Sequence, residues 1–199
     1  VPAAGPDREI RPAPGERDAI QAAIASGDLR SALTLLMIRY GDSIYRFAHA
    51  RTRDGYLADD IRQQVFLEAY RDLARFAGLS SVQTWLFGIA RHRCLDAMKA
   101  RVRWDNRFKN DSPAEIEVDD HDPDRDLDRS RMMGVLAACL ARLAPVAREA
   151  VVLRYEEELS FDEIAAILGG RSGALQQRVS RALPVLRGYI EAQRCAAEL

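Results

Sequence analysis

The feature that most constrains this 199-residue chain is an acidic block near its middle. Between Asp111 and Asp128 nine acids face Arg125 alone, a local charge of −8, and Pro113 and Pro123 punctuate a stretch with no apolar period. Like charges repel, and such a stretch has too little apolar surface to repay the entropy of ordering it. A flexible acidic linker over 109–129 is the expectation, and it forbids one continuous core in sequence. The chain should therefore fold as an N-terminal domain over 20–108 and a C-terminal domain over 130–192. Tails are expected at 1–19 and 193–199.

Both domains carry helical period. Leu29, Leu33, Leu36, Ile44 and Phe47 recur at helical steps, with a break expected at Gly41-Asp42. Leu57, Ile61, Val65, Ala69 and Leu73 repeat every fourth residue, and Trp85, Leu86, Ile89, Ala90, Leu95, Met98 and Val102 form another stripe. In the second domain Pro145 is placed to start a helix. Ser160 and Glu163 fit a capping box, Gly169-Gly170 ends that helix, and Ser172 is expected to cap the next. No segment sustains a period of two, so the fold class expected is all-α.

Several functions are excluded or disfavoured by composition. No run of about 18 apolar residues is present, so no membrane-spanning helix is expected. The N-terminal residues lack the apolar core of a secretory signal. Cys94, Cys139 and Cys195 are far apart and form no metal or disulfide pattern, which fits a reducing cytoplasm. His49, His92 and His121 are scattered, and no hydrolase, zinc-protease or phosphate-loop motif occurs. No enzyme, metal or cofactor is expected.

Charge segregation is more informative than the net charge of −1. Arg75 to Lys109 carries +6 and interleaves its cations with Phe76, Trp85, Phe87, Trp104 and Phe108. Such a surface suits single-stranded nucleic acid, whose bases stack on aromatics while cations follow phosphates. A solvated basic face over a core containing Trp85 and Phe87 explains the same residues. Arg171 to Arg187 holds four arginines and no acid. With Gln176, Gln177, Arg178 and Arg181 on its exposed face, this second helix of a capped pair could read a major groove. An ordinary αα-hairpin would look alike. Asp59, Asp60, Gln63 and Gln64, with Phe66 or Leu67 at the margin, form either a protein interface or the wet face of a helix.

Taken in order, these stretches resemble the bacterial RNA polymerase sigma factors of the extracytoplasmic-function group, in the sigma-70 family. The matching segments are Tyr40-Gly-Asp-Ser-Ile-Tyr-Arg-Phe47, Ala58-Asp-Asp-Ile-Arg-Gln-Gln-Val-Phe-Leu67, and Thr84-Trp-Leu-Phe-Gly-Ile-Ala-Arg-His-Arg-Cys-Leu-Asp96. In the second domain they are Ala147-Arg-Glu-Ala-Val-Val-Leu-Arg-Tyr155, Leu159-Ser-Phe-Asp-Glu-Ile-Ala-Ala-Ile-Leu-Gly169 and Arg178-Val-Ser-Arg-Ala182. The resemblance implies promoter recognition, −10 melting and transcription initiation without catalysis by the chain itself. Implied partners are core RNA polymerase, promoter DNA and an anti-sigma protein. Asp59, Asp60, Gln63, Gln64, Phe66 and Leu67 would bind core polymerase. Arg75, Phe76, Ser80, Ser81, Gln83, Trp85, Arg91, His92 and Arg93 would handle the single-stranded −10 element. Arg171, Ser172, Gln176, Gln177, Arg178 and Arg181 would read the −35 duplex. Alternatives are a stand-alone helix-turn-helix regulator and a sigma-like interaction module with reduced promoter reading.

Two departures bear on the −35 reader. Gly173-Ala-Leu-Gln-Gln-Arg178 lacks the hydroxyl and lysine usual in the family, so phosphate anchorage should be weaker or differently placed. Pro184 removes an amide that would bond Ser180, and should kink or end the helix.

Overall fold

A computed structural model describes residues 14–107, 134–136 and 138–197; the acidic linker lies outside them. Every regular element among the described residues is helical: α1 (Pro14–Ala25), α2 (Leu29–Thr52), α3 (Gly55–Asp72), a 3-10 turn (Leu73–Arg75), α4 (Val82–Arg107), α5 (Pro145–Tyr155), α6 (Phe161–Leu168) and α7 (Ser172–Ala197). Residues 134–136 and 138–141 are also helical.

The starts are set by side chains that satisfy amides without intrahelical partners. The Leu57 amide donates to Asp54 Oδ1 at 3.0 Å, and the Ser31 amide to Asp28 Oδ1 at 3.1 Å. At α6 the expected capping box is complete: the Glu163 amide donates to Ser160 Oγ at 3.2 Å, and the Ser160 amide donates to Glu163 Oε2 at 3.0 Å. Gly169 and Gly170 follow with φ of 78° and 98°, the turn between the two helices of the pair.

Helices α2, α3 and α4 close the first core. Leu36, Ile44, Ile61, Val65, Leu86 and Phe87 are fully buried, and the rings of Phe47 and Phe87 meet edge to face at 5.5 Å. In the second, Leu153, Leu159, Ile164 and Val179 are buried. The two cores are continuous, because α4 packs against α6.

Four expectations change. Helix α1 opens at Pro14, inside the stretch expected to be tail, and Ile20 is buried in the core. At the other end α7 extends to Ala197. Helix α2 runs through Gly41-Asp42 unbroken, since the buried series Leu36, Tyr40, Ile44 and Phe47 spans the glycine. Burial of that stripe outweighs the roughly 1 kcal/mol helical cost of one glycine. Pro184 does not end α7 either. It lies on the exposed side, while Ala182 and Leu186 are buried and Leu183, Tyr189 and Ile190 pack against the core. Ser172 is the first residue of α7 rather than its cap. The Arg171 carbonyl accepts from the amides of Ala174 and Leu175 at 3.0 and 3.2 Å.

Candidate polymerase and nucleic-acid interfaces

Helix α3 turns its apolar side to α2 and α4, leaving Asp60, Gln63, Gln64 and Leu67 outward. Leu67 is 59% exposed, an uncommon state for leucine in an otherwise polar patch. Asp59 accepts from Gln63 Nε2 at 3.1 Å and pairs with Arg62, which stiffens the polar row. Phe66 is 5% exposed and belongs to the core. The sequence could have revealed this: Phe66 precedes buried Ala69 and Leu73 by three and seven residues, the period of a helix face. Sequence reasoning also missed Glu68 and Arg71, which line a shallow groove with Gln64, Leu67 and Arg93. Arg93 Nε donates to Glu68 Oε2 at 2.6 Å, and this bond raises the arginine's pKa further. Thus Arg93, expected at DNA, is tied to α3.

The start of α4 is built differently. The loop before it leaves Arg75, Leu79 and Ser80 exposed, with Gly78 at φ 68° making the turn. Phe76 and Trp85 are each partly buried and pack on one another at 5.2 Å with ring planes 50° apart. Phe87 is buried, as the solvated-face explanation required; Phe108 lies outside the described residues. His92 is exposed and pairs with Asp96 at 3.3 Å.

Ser81 and Gln83 meet the C-terminal domain. The Ser81 and Thr84 hydroxyls both donate to Glu163 Oε1, each at 3.0 Å. Gln83 Nε2 donates to the Glu157 carbonyl at 2.9 Å and approaches its carboxylate at 3.4 Å. Arg91 Nη2 donates to the Leu168 carbonyl at 3.1 Å, occupying the C-terminal end of α6. Ion pairs join Arg46 to Glu156 and Arg51 to Glu149, and Arg148 Nη1 donates to the Ala50 carbonyl at 3.1 Å.

The two acids that meet α4 differ in electrostatics. Burial pushes Glu157 above the usual carboxylate range, outweighing the bonds it accepts. Burial also opposes ionisation of Glu163, yet the combined bonds from Ser160, Ser81 and Thr84 prevail and hold its pKa low. Neither Glu157 nor the second role of Glu163 was foreseen, because their partners lie 74 to 82 residues away across the linker.

On α7, Leu175 and Val179 enter the core while Arg171, Gln176, Gln177, Arg178 and Arg181 are exposed and Ser172 is partly so. The outward face is therefore positive and polar, with amide side chains able to meet base edges.

Comparison with known proteins assigns this architecture. The family described as Sigma-70 region 2 matches residues 36–103, and Sigma-70, region 4 matches residues 133–183. The RNA polymerase sigma factor CarQ of Myxococcus xanthus is 32% identical over 155 residues, covering 76% of this chain and 85% of CarQ. The sigma factor YlaC of Bacillus subtilis is 30% identical, with coverage of 77% and 88%. The ECF sigma factor SigE of Mycolicibacterium smegmatis is 29% identical over 78% of this chain, which spans 60% of that longer protein. CnrH, solved with the cytosolic domain of CnrY, superposes with a TM-score of 0.62 at 25% identity, covering 89% of this chain and 98% of CnrH. The fold is shared with the sigma factor RpoE of Bartonella quintana, solved with the anti-sigma factor NepR. Its TM-score is 0.63 at 23% identity, over 78% of this chain and 94% of that one.

The chain belongs to the sigma-70 family of RNA polymerase sigma factors. Within it, the chain is a sigma factor of the extracytoplasmic-function group, directing promoter recognition and transcription initiation with core RNA polymerase.

Proposed function

We propose that three surfaces divide the work of this sigma factor, and that two of them are ready in the conformation described while the third must be uncovered. Asp59, Asp60, Gln63, Gln64 and Leu67 dock on core polymerase, with Phe66 supporting them from the core. Arg171, Ser172, Gln176, Gln177, Arg178 and Arg181 meet the −35 duplex. The start of α4, from Arg75 through Arg93, takes the melted −10 strand: Phe76 and Trp85 offer ring faces, and Ser81, Gln83 and Arg91 offer donors to base and phosphate.

One observation carries the reading. Ser81, Gln83 and Arg91 are hydrogen-bonded to the C-terminal domain. Their donors cannot serve a strand at the same time, so the two domains part before −10 capture. A sigma factor bound to polymerase draws much of its DNA affinity from the complex, and its own charge of −1 is compatible with weak binding alone. The chain provides no catalysis and works in the cytoplasm; no described helix is long and apolar enough to cross a membrane. An anti-sigma protein is a further partner, supported by the complexes in which CnrH and RpoE were solved.

The test is titration of the intact protein and of Gln64→Ala with Leu67→Ala into core RNA polymerase. Gel shifts on promoter DNA follow, with and without the core enzyme. Saturable core binding weakened by the double variant, with DNA binding only as holoenzyme, is expected. DNA binding without core enzyme would replace the reading with a stand-alone regulator.

A further inference from the structure

Where the end of α2, the middle of α4 and the first turn of α5 converge, the fold encloses a cavity of about 250 Å³. Phe47, Met98 and Val152 supply apolar wall, and three guanidinium groups, Arg51, Arg53 and Arg148, share it with a single carboxylate, Glu149. Arg51 pairs with that carboxylate, leaving two positive charges in excess. The Nε–H groups of Arg51 and Arg148 are buried and have no acceptor. A buried guanidinium donor left unbonded is costly, and these two arise from different domains. Helix α5 adds to the field: its first turn, opened by Pro145, has no side-chain cap, so its amides present partial positive charge. Burial and then the neighbouring charges of Arg53 and Arg51 lower the Arg148 pKa despite Glu149, the signature of cations crowded without enough counter-charge.

From this geometry we infer that the interdomain cavity is a binding site for a small phosphate monoester. Charge sets the head group. A monoester carries close to two negative charges at neutral pH, matching the excess, and its three terminal oxygens suit arginine donors converging from two sides. The wall sets the body. The volume exceeds the roughly 150 Å³ that holds a benzene ring, so a compact apolar body fits beside the head group. Arg51 and Arg53 come from the end of α2 and Arg148 from α5, so an occupant is gripped by both domains and holds them together. Ligands bound only by the closed arrangement shift the equilibrium towards it. The site itself does not depend on the sigma-factor reading; only its consequence, slower −10 capture when occupied, does.

The experiment uses the full chain and phenyl phosphate, followed by calorimetry and by the arginine Nε–H resonances. Saturable one-site binding is expected, with a dissociation constant on the order of 1 mM. The resonances of Arg51 and Arg148 should shift together. Arg148→Met should weaken binding at least tenfold and Arg53→Met several-fold. Arg171→Met, which removes an exposed cation on the other side of the C-terminal domain, should bind as the parent does. Inorganic phosphate should bind more weakly for want of the apolar body, and dimethyl phosphate, a monoanion standing in for a nucleic-acid diester, weaker still. Arg148 also bonds Ala50, so its variant is accompanied by a melting curve; Arg53 is exposed, and Arg53→Met keeps the test decisive if Arg148→Met unfolds. Binding unchanged in Arg53→Met, or shifts that grow linearly over a tenfold range about the expected constant, would overturn the site. Loss of core-polymerase binding in the separate titration would remove the sigma reading and leave this result standing.

Discussion

The outward face of α3 and the first turn of α4 belong to the same domain and are both rich in hydroxyl, amide and charged groups, yet their situations are opposite. On α3, Gln63, Gln64 and Leu67 are open to solvent and their polar bonds stay within the helix. On α4, Ser81, Gln83 and Thr84 are satisfied by two acids from the other domain, and Gln83 is 6% exposed. The difference teaches an order of events. A partner for α3 can arrive while the domains are together, and its arrival need not compete with anything. A strand seeking the start of α4 must displace bonds already made.

The largest expected effect separates two adjacent residues on the docking helix. Phe66→Ala should cost about 3–5 kcal/mol of stability, as for a buried aromatic, whereas Leu67→Ala should change it by no more than about 0.5 kcal/mol. Urea denaturation of both variants decides this, and equal losses would mean the two side chains are not on opposite faces. Next, Gln64→Ala combined with Leu67→Ala should weaken core-polymerase binding by about 2–3 kcal/mol, roughly 30- to 150-fold, without lowering the melting temperature. An unchanged affinity would place docking elsewhere on the domain.

Breaking the covered side calls for smaller numbers. Glu163→Ala removes a helix cap and the acceptor for two hydroxyls, and should lower stability by about 1–2 kcal/mol. Amide exchange at Thr84 should accelerate along with exchange at Ile164. If only Ile164 responded, the cap would matter and the cross-domain bonds would not.

The smallest effect is with pH. Glu157 has its pKa raised by burial, so the folded protein holds that proton more tightly than the unfolded chain does. Its ionisation therefore costs stability, and the cost disappears as pH falls from the raised value through the ordinary 4.5. Glu163, held low, contributes stability that is intact above 4.5 and is lost as pH falls through its lowered value. Melting temperature should rise slightly on mild acidification and then fall. Glu157→Gln should abolish the rise and keep the fall; a rise that survives the substitution would assign it to another group.

These contrasts also mark what could be read before any coordinates. Local rules of spacing and capping found the helices, the Ser160–Glu163 box and the glycine turn, because each depends on residues within a few positions of one another. They placed Leu175 and Val179 inside and Gln176 and Arg178 outside. The same rules overrated Gly41 and Pro184, whose local penalties are outweighed by stripes running past them on both sides. Gln83 on Glu157, Arg91 on Leu168 and Arg51 on Glu149 had no local signature at all. Nothing in the spacing of two segments separated by an acidic block says which of their polar groups will meet.

Glu163 carries one last consequence. Its Oε1 serves Ser81 and Thr84, and its Oε2 serves the backbone and hydroxyl of Ser160. One carboxylate thus rivets the first turn of α4 to the first turn of α6. Warming that frays α6 loosens the seam between the domains in the same step, and a pull on the seam strips the cap from the helix-turn-helix. The molecule would then respond to heat as a single catch releasing, rather than as two parts softening in turn.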